Sequence, residues 1–213
     1  MQPVPVPAAE PAPRRGRPRS FDVEEVTASV LHVLWRQGHD ATSIDELVEA
    51  TGLSPSSLYG TFGSKRGLFD AALERYDRDM DAVLGPLANG SGGIDDVVGF
   101  LDRVRRFVAA PHSPGCFMVN TTTEMAPRDP AIAERTRRYR ARIRSSLRAA
   151  LDRAATSHEI EASTADDRAR LVQASLFGVL VAARGGANRE AVAALDALRR
   201  EVRRWRAGAP SSG

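Results

Sequence analysis

The sequence predicts an all-α protein, a small N-terminal helical unit followed by a larger helical domain. Three observations carry this. Apolar residues recur every three to four positions in one segment after another. Gly, Pro and Ser fall between those segments, where helices stop and start. Neither a convincing strand pair nor an internal repeat is present.

The first helix begins at Asp22, whose D-x-x-E spacing to Glu25 matches a capping pattern, and runs to about Gln37 before Gly38 ends it. The second starts near Thr42 or Ser43, with Ser43 and Glu46 spaced as a capping box, and stops before Gly52. Ser54 is the N-cap of the third, with Pro55 at the first helical position, where a missing N–H costs nothing. Ser64 caps a fourth helix from Lys65 to about Val83, closed by Gly85 and Pro86. After the loop LANGSGG, Ile94–Val108 is amphipathic, PHSPG is a break, and Cys116–Met125 reads as a buried helix with polar members. An Arg-rich helix spans about Pro130–Ala154, and two more cover about Ala165–Arg184 and Asn188–Arg206.

With 213 residues the chain can bury a real core. Its 30 basic and 27 acidic residues are interleaved, so bulk charge does not demand a nucleic-acid partner and local placement must carry that argument. Lys65 is the only lysine. A single cysteine, Cys116, excludes an intramolecular disulfide framework and a cysteine zinc finger, and fits a reducing compartment. The start lacks the basic and apolar regions of a signal peptide, and no apolar run approaches the roughly 20 residues that span a bilayer. A cytoplasmic protein away from membranes is expected.

Four regions follow: residues 1–19, a Pro-rich disordered tail ending in a basic arm; 20–66, a helix-turn-helix; 67–206, a helical domain for ligand binding and dimerisation; and 207–213, a second disordered tail. In TSIDELVEATGLSPSSLYGTFGSK, Ile44, Leu47 and Val48 form one apolar face, Gly52 permits positive φ at a turn, and Leu53 and Leu58 return to the same core. An ordinary helical hairpin has the same pattern. The polar residues tilt the balance. Ser54, Ser56, Ser57, Tyr59 and Thr61 offer hydroxyl donors on one short helix, suited to base edges and phosphates. The arm RRGRPRS, with Arg17 and Arg19, precedes the first helix, where a flexible basic segment can enter a minor groove or remain a solvated charge cluster. Thr42 and Lys65 lie at helix N-termini, which favour phosphate.

The residues GRPRSFD and GHDATSIDELVEATGLSPSSLYGTFGSKRGLFDAAL together resemble the DNA-binding domain of TetR-family transcriptional regulators, and GCFMVNTTTEMAPRDPAIAERT looks like a ligand-domain segment of part of that family. The resemblance implies a homodimer on a near-palindromic double-stranded operator, released by a small-molecule inducer of unknown identity, with Thr42 and Lys65 clamping phosphates. It implies a repressor by family habit, no catalytic site and no cofactor or metal. Gly60 and Thr61 depart from the bulkier residues common in the family, which leaves the operator sequence open.

Candidate inducer contacts are Phe107, Cys116, Phe117, Asn120, Thr123, Glu124, Tyr139 and Phe177, and the i, i+4, i+8 spacing of Cys116, Asn120 and Glu124 puts these three on one helical face. The same residues also read as core and satisfied polar groups. Cys116, near a helix N-terminus, reads either as an electrophile or redox sensor or as a small buried hydrophobe. A different class, a small helical enzyme or metal-dependent protein centred on His112, Cys116 and Glu124, competes; as a metal site it lacks a defined ligand set. DNA binding without any inducer is a further option. Small residues along Leu171, Ala174, Ser175, Gly178 and Val181, with Val192, Leu195, Leu198, Val202 and Trp205 on the last helix, suggest either a four-helix dimer interface or intrachain core.

Overall fold

The computed structural model describes residues 21–207, and the basic arm with Arg17 and Arg19 lies outside that range. Among the described residues there are nine α-helices and no strand: α1 (Val23–Gln37), α2 (Ile44–Thr51), α3 (Pro55–Phe62), α4 (Lys65–Asn89), α5 (Ile94–Ala109), α6 (Phe117–Glu124), α7 (Pro130–Thr156), α8 (Ala165–Arg184) and α9 (Asn188–Ala207). A short 3-10 turn, Ala162–Thr164, precedes α8 and was not expected from the periodicity.

Helices α1–α3 form a head around Val30, Leu34, Leu47 and Leu58, all buried. The Ser43–Glu46 capping box closes as its spacing requires, with the Glu46 carboxylate accepting the Ser43 N–H at 2.7 Å and Ser43 Oγ accepting the Glu46 N–H. Gly52 then ends α2 with φ 67°, a left-handed conformation that only glycine takes without cost. At α1 the expected box forms by half. Asp22 accepts from the Glu24 N–H at 2.8 Å and caps the helix alone.

The largest difference from the sequence reading is the length of α4, which passes through Gly85 and Pro86 and ends at Asn89. Proline removes one donor and leaves the carbonyl four residues earlier, that of Ala82, without its helical partner. Arg103 of α5 supplies the replacement, donating through Nη1 to Ala82 O at 3.3 Å and Val83 O at 3.4 Å. Arg153 of α7 donates to the next orphaned carbonyls, Leu87 O and Ala88 O, and Leu84 and Leu87 are buried. Tertiary donors and apolar burial thus carry the helix across a local stop signal that its sequence spells out.

Helix α4 packs on α1 in the head and on α5 and α7 in the larger domain, so it belongs to both. Helices α5, α7, α8 and α9 complete the larger layer through α5–α9, α7–α8 and α8–α9 packing. None of the described helices is long and apolar enough to cross a membrane.

Candidate regulatory site: reading face, seam and cavity

The candidate reading face is the exposed side of α3 with the adjoining helix starts. Ser54 Oγ accepts the Ser57 N–H at 3.2 Å and lies 2.9 Å from Ser56 Oγ and 3.0 Å from Ser57 Oγ, so three hydroxyls cluster at the N-terminus of α3. Tyr59 is 40% exposed, Thr61 is half-buried, and Gly60 has open space beside it. Lys65 is the first residue of α4, and no described carboxylate pairs with its ammonium. Thr42 differs from expectation. It is buried, and its hydroxyl donates to Gly38 O at 2.6 Å, because the carbonyls at the end of α1 need donors. Ser43, exposed at the N-cap of α2, takes the position facing outward. The backbone N–H and hydroxyl of Ser43 hold the Glu46 carboxyl below its usual range.

Below the head runs a seam of polar contacts to the larger domain. Glu124, the last residue of α6, accepts the Asp40 N–H at 2.8 Å, and its other oxygen lies 2.8 Å from where a Cβ on Gly38 (φ 95°) would sit. Arg128 pairs with Asp40, and Arg66 at the start of α4 pairs with Asp129, the N-cap of α7. Arg184 of α8 donates to Arg36 O at 2.5 Å. Trp35 Nε1 of α1 donates to Gly115 O at 2.9 Å.

That indole also forms part of the wall of a cavity of about 190 Å³ between α1, α4, α5, α7 and α8. Its lining is aromatic and aliphatic: Trp35 beside Tyr76, Met80 and Val83 of α4, Phe100, Val104 and Phe107 of α5, Tyr139 and Ile143 of α7, and Leu176 and Leu180 of α8. Phe107, 36% exposed, stacks on Trp35 at 5.8 Å between centroids. Cys116 Sγ lies 3.2 Å from Tyr76 Oη and 3.3 Å from Tyr139 Oη. Burial pushes both phenols well above their ordinary range, so they stay protonated.

Of the eight residues read from the sequence as ligand contacts, the cavity gathers Phe107, Cys116 and Tyr139. Phe117 packs one layer behind, edge-on to Phe69 and Tyr76. Phe177 lies against the core beside the lining positions Leu176 and Leu180, a displacement of one residue around α8. The expected face of Cys116, Asn120 and Glu124 does not form one surface. Helix α6 has only eight residues, and its polar members are taken up locally: Asn120 donates to Pro114 O and Glu124 accepts from Asp40 in the flanking loops, while Thr123 donates to Asn120 O within the helix. His112, Cys116 and Glu124 therefore face three different surroundings, and among the described residues no three His, Cys, Asp or Glu side chains converge as metal ligands. Trp35 escaped the sequence reading. It follows the head's apolar positions Val30 and Leu34 by one residue, a signal for a second, separate apolar contact.

On the opposite flank, Leu171 and Val181 of α8 are each 51% exposed, and a shallow groove runs between α8 and α9 along Ser175, Gly178, Ala194 and Leu198. Leu195, Val202 and Trp205 instead face the intrachain core, so the apolar stripe read on α9 divides between two surfaces.

An N-terminal helix-turn-helix joined by a shared helix to a cavity-bearing helical domain is the architecture of a one-component DNA-binding regulator. The chain belongs to the TetR family: residues 28–72 match the model of bacterial regulatory proteins of the tetR family, and residues 93–197 match the tetracyclin repressor-like C-terminal domain. It is 34% identical over 116 residues to the HTH-type transcriptional repressor ComR of Escherichia coli K12, a match covering 53% of this chain and 55% of that protein. The chain thus spans about half the length of that curated relative. Its fold is similar to that of a cysteine mutant of the TetR family transcriptional regulator CifR in complex with double-strand operator DNA, at 26% identity, TM-score 0.75, and coverage of 86% of this chain and 98% of that one. A TetR transcriptional regulator from Chloroflexus aurantiacus J-10-FL is similar at 25% identity and TM-score 0.74, with 87% and 93% covered.

Proposed function

We propose that the protein is a cytoplasmic, homodimeric transcriptional repressor that binds a near-palindromic operator and leaves it when a small molecule occupies the cavity of its larger domain. It is a regulator rather than an enzyme. The observation that carries this reading is Trp35: one side chain of the head's first helix is part of the wall of the cavity and is hydrogen-bonded to the loop that opens α6. Filling the cavity therefore acts directly on α1, the helix on which α2 and α4 of the head pack.

In this reading Ser54, Ser56, Ser57, Tyr59 and Thr61 meet base edges and phosphates, and Ser43 and Lys65 meet phosphates at helix starts. The backbone N–H groups there add a donor and a positive dipole end. The exposed faces of α8 and α9 from two copies form a four-helix interface, which sets the spacing of two heads and makes the operator a near-palindrome. Inducer shifts the population toward a spacing that does not fit adjacent major grooves, and it must bind that state more tightly than the DNA-bound one.

The test is fluorescence anisotropy with DNA from upstream of the protein's own gene. Binding should be sequence-selective and steeply salt-dependent, and Lys65→Ala should weaken it while the fold stays intact. Absence of selective binding at every salt concentration, with Lys65→Ala silent, refutes the regulator reading. A screen in which no cavity ligand weakens binding removes the inducer half alone.

A further inference from the structure

The cavity's own hydrogen-bond accounting narrows what it accepts, on the reading that it is the regulatory site. Its polar side chains are few, and most are committed. The Trp35 N–H is spent on Gly115 O. Arg103 at the rim is tied to the carbonyls of Ala82 and Val83, the first of them freed by Pro86. The cluster of Tyr76, Cys116 and Tyr139 remains. It holds three X–H hydrogens and two contacts at hydrogen-bonding distance, Tyr76 Oη to Cys116 Sγ and Cys116 Sγ to Tyr139 Oη. Two contacts engage two hydrogens, and the third has only the opposite phenol as a protein alternative, so it is the spare donor that a guest acceptor can claim. Apart from Arg103 at the rim, whose guanidinium is already bonded to two carbonyls, the side chains around it are apolar, so an ion entering beside the cluster gives up its hydration for one engaged cation and no carboxylate.

Size sets a second bound. An apolar cavity of roughly 150 Å³ takes a benzene ring, so about 190 Å³ admits one ring with a short substituent. Shape sets a third, since Trp35, Phe107 and Tyr76 present ring faces and edges that suit a flat partner. We propose that the cavity binds an uncharged, planar, single-ring molecule carrying one carbonyl-type acceptor, whose oxygen takes the spare hydrogen of the Tyr76–Cys116–Tyr139 cluster. The two tyrosines are the specificity-determining residues, because they supply hydroxyl donors that thiol geometry alone does not.

The experiment compares three probes of one skeleton by calorimetry on the full chain: acetophenone, isopropenylbenzene, in which a methylene replaces the carbonyl oxygen, and benzoate. Emission of Trp35 in a Trp205→Phe background reports that binding is in this cavity and not in the α8–α9 groove. Acetophenone should bind about tenfold more tightly than isopropenylbenzene, the effect of one buried hydrogen bond. Benzoate should bind more weakly than either. In Tyr76→Phe/Tyr139→Phe the acetophenone advantage should vanish while isopropenylbenzene affinity holds, which also shows that the cavity survives the substitutions. Equal affinities for the first two probes, a preference for benzoate, no binding by any probe, or a preference that persists without the phenols each overturns the proposal. Operator anisotropy in the same titrations separates this from the regulator reading. Acetophenone that binds as described without releasing DNA leaves the ligand class standing and sinks the inducer role; release by benzoate does the reverse.

Discussion

The reading face and the cavity hold about the same number of polar side chains and use them in opposite ways. On α3 and the start of α4, Tyr59 is exposed, half-buried Lys65 forms no described ion pair, and the serine hydroxyls of Ser54, Ser56 and Ser57 bond only to one another and to the cap. In the cavity the indole, the guanidinium and the thiol are nearly all engaged within the protein. Exposed polar groups cost nothing to leave unpaired, because water serves them. Buried ones are expensive to leave unpaired, so the cavity spends most of its donors internally. The contrast separates an exposed polar surface from an enclosed space whose polar groups are mostly paired internally.

The largest expected effect lies where the two regions meet. Gly115 has φ 67°, and a Cβ there would lie 2.6 Å from Leu180 O and 3.0 Å from Arg184 Cβ. The first neighbour is backbone and cannot swing away. Gly115→Ala should cost about 2–4 kcal/mol, from left-handed strain and the push against α8, read in urea unfolding. It should also move the Gly115 carbonyl off Trp35 and change indole emission. A neutral result would mean that α8 yields easily, and that the cavity wall is softer than the contrast implies.

Next comes the reading face alone. Lys65→Ala should leave the melting temperature within a degree or two of the parent and weaken operator binding roughly 10- to 100-fold. The slope of log affinity against log salt should fall by about one for the lost phosphate contact. Tyr59→Phe removes only a hydroxyl and should cost less. If Lys65→Ala instead unfolds the head with DNA binding lost in proportion, the lysine is structural and the outward group at this site is unassigned.

Much of the head was legible because its signals are local. Ser43 with Glu46, Gly52, Ser54 with Pro55 and Ser64 each act within one turn of chain, and each sits in the structure where its spacing put it. Thr42, expected at the surface, is buried, and only the carbonyl of Gly38, supplied by another element's end, explains why it turns inward. The cavity was less legible because its residues come from five helices. Tyr139 and Cys116 were found as an aromatic and a thiol on buried faces, whereas Trp35 and Arg103 do work that exists only after α1 meets α6 and α5 meets α4. Pro86 gives the same lesson: a stop signal holds only until distant donors satisfy the carbonyl that it frees.

Ser54→Ala tests the cap beneath the reading face and should cost about 1 kcal/mol in urea unfolding, with a similar loss of operator affinity as the start of α3 frays. If affinity falls far more than stability, the Ser54 hydroxyl contacts DNA itself.

The smallest effect concerns the seam and is read against pH. The Ile132 N–H and Arg66 hold the Asp129 carboxyl below the ordinary carboxylate range. A carboxylate with a lowered folded pKa adds stability above its unfolded value, near 4, and loses that contribution as pH falls through the folded value. Asn is also a good N-cap, so Asp129→Asn keeps the capping of α7 and removes only the charge facing Arg66. The variant should melt slightly below the parent at neutral pH, by less than Ser54→Ala does, because the pair is solvent-screened. The difference should begin to narrow as the pH drops below about 4 and close only once it has fallen through the lower folded value, where the parent's own carboxylate takes up its proton. A gap that stays constant into acid would assign the loss to altered capping geometry, and the head would then be held to the larger domain by packing around α4 and by Trp35 rather than by charge.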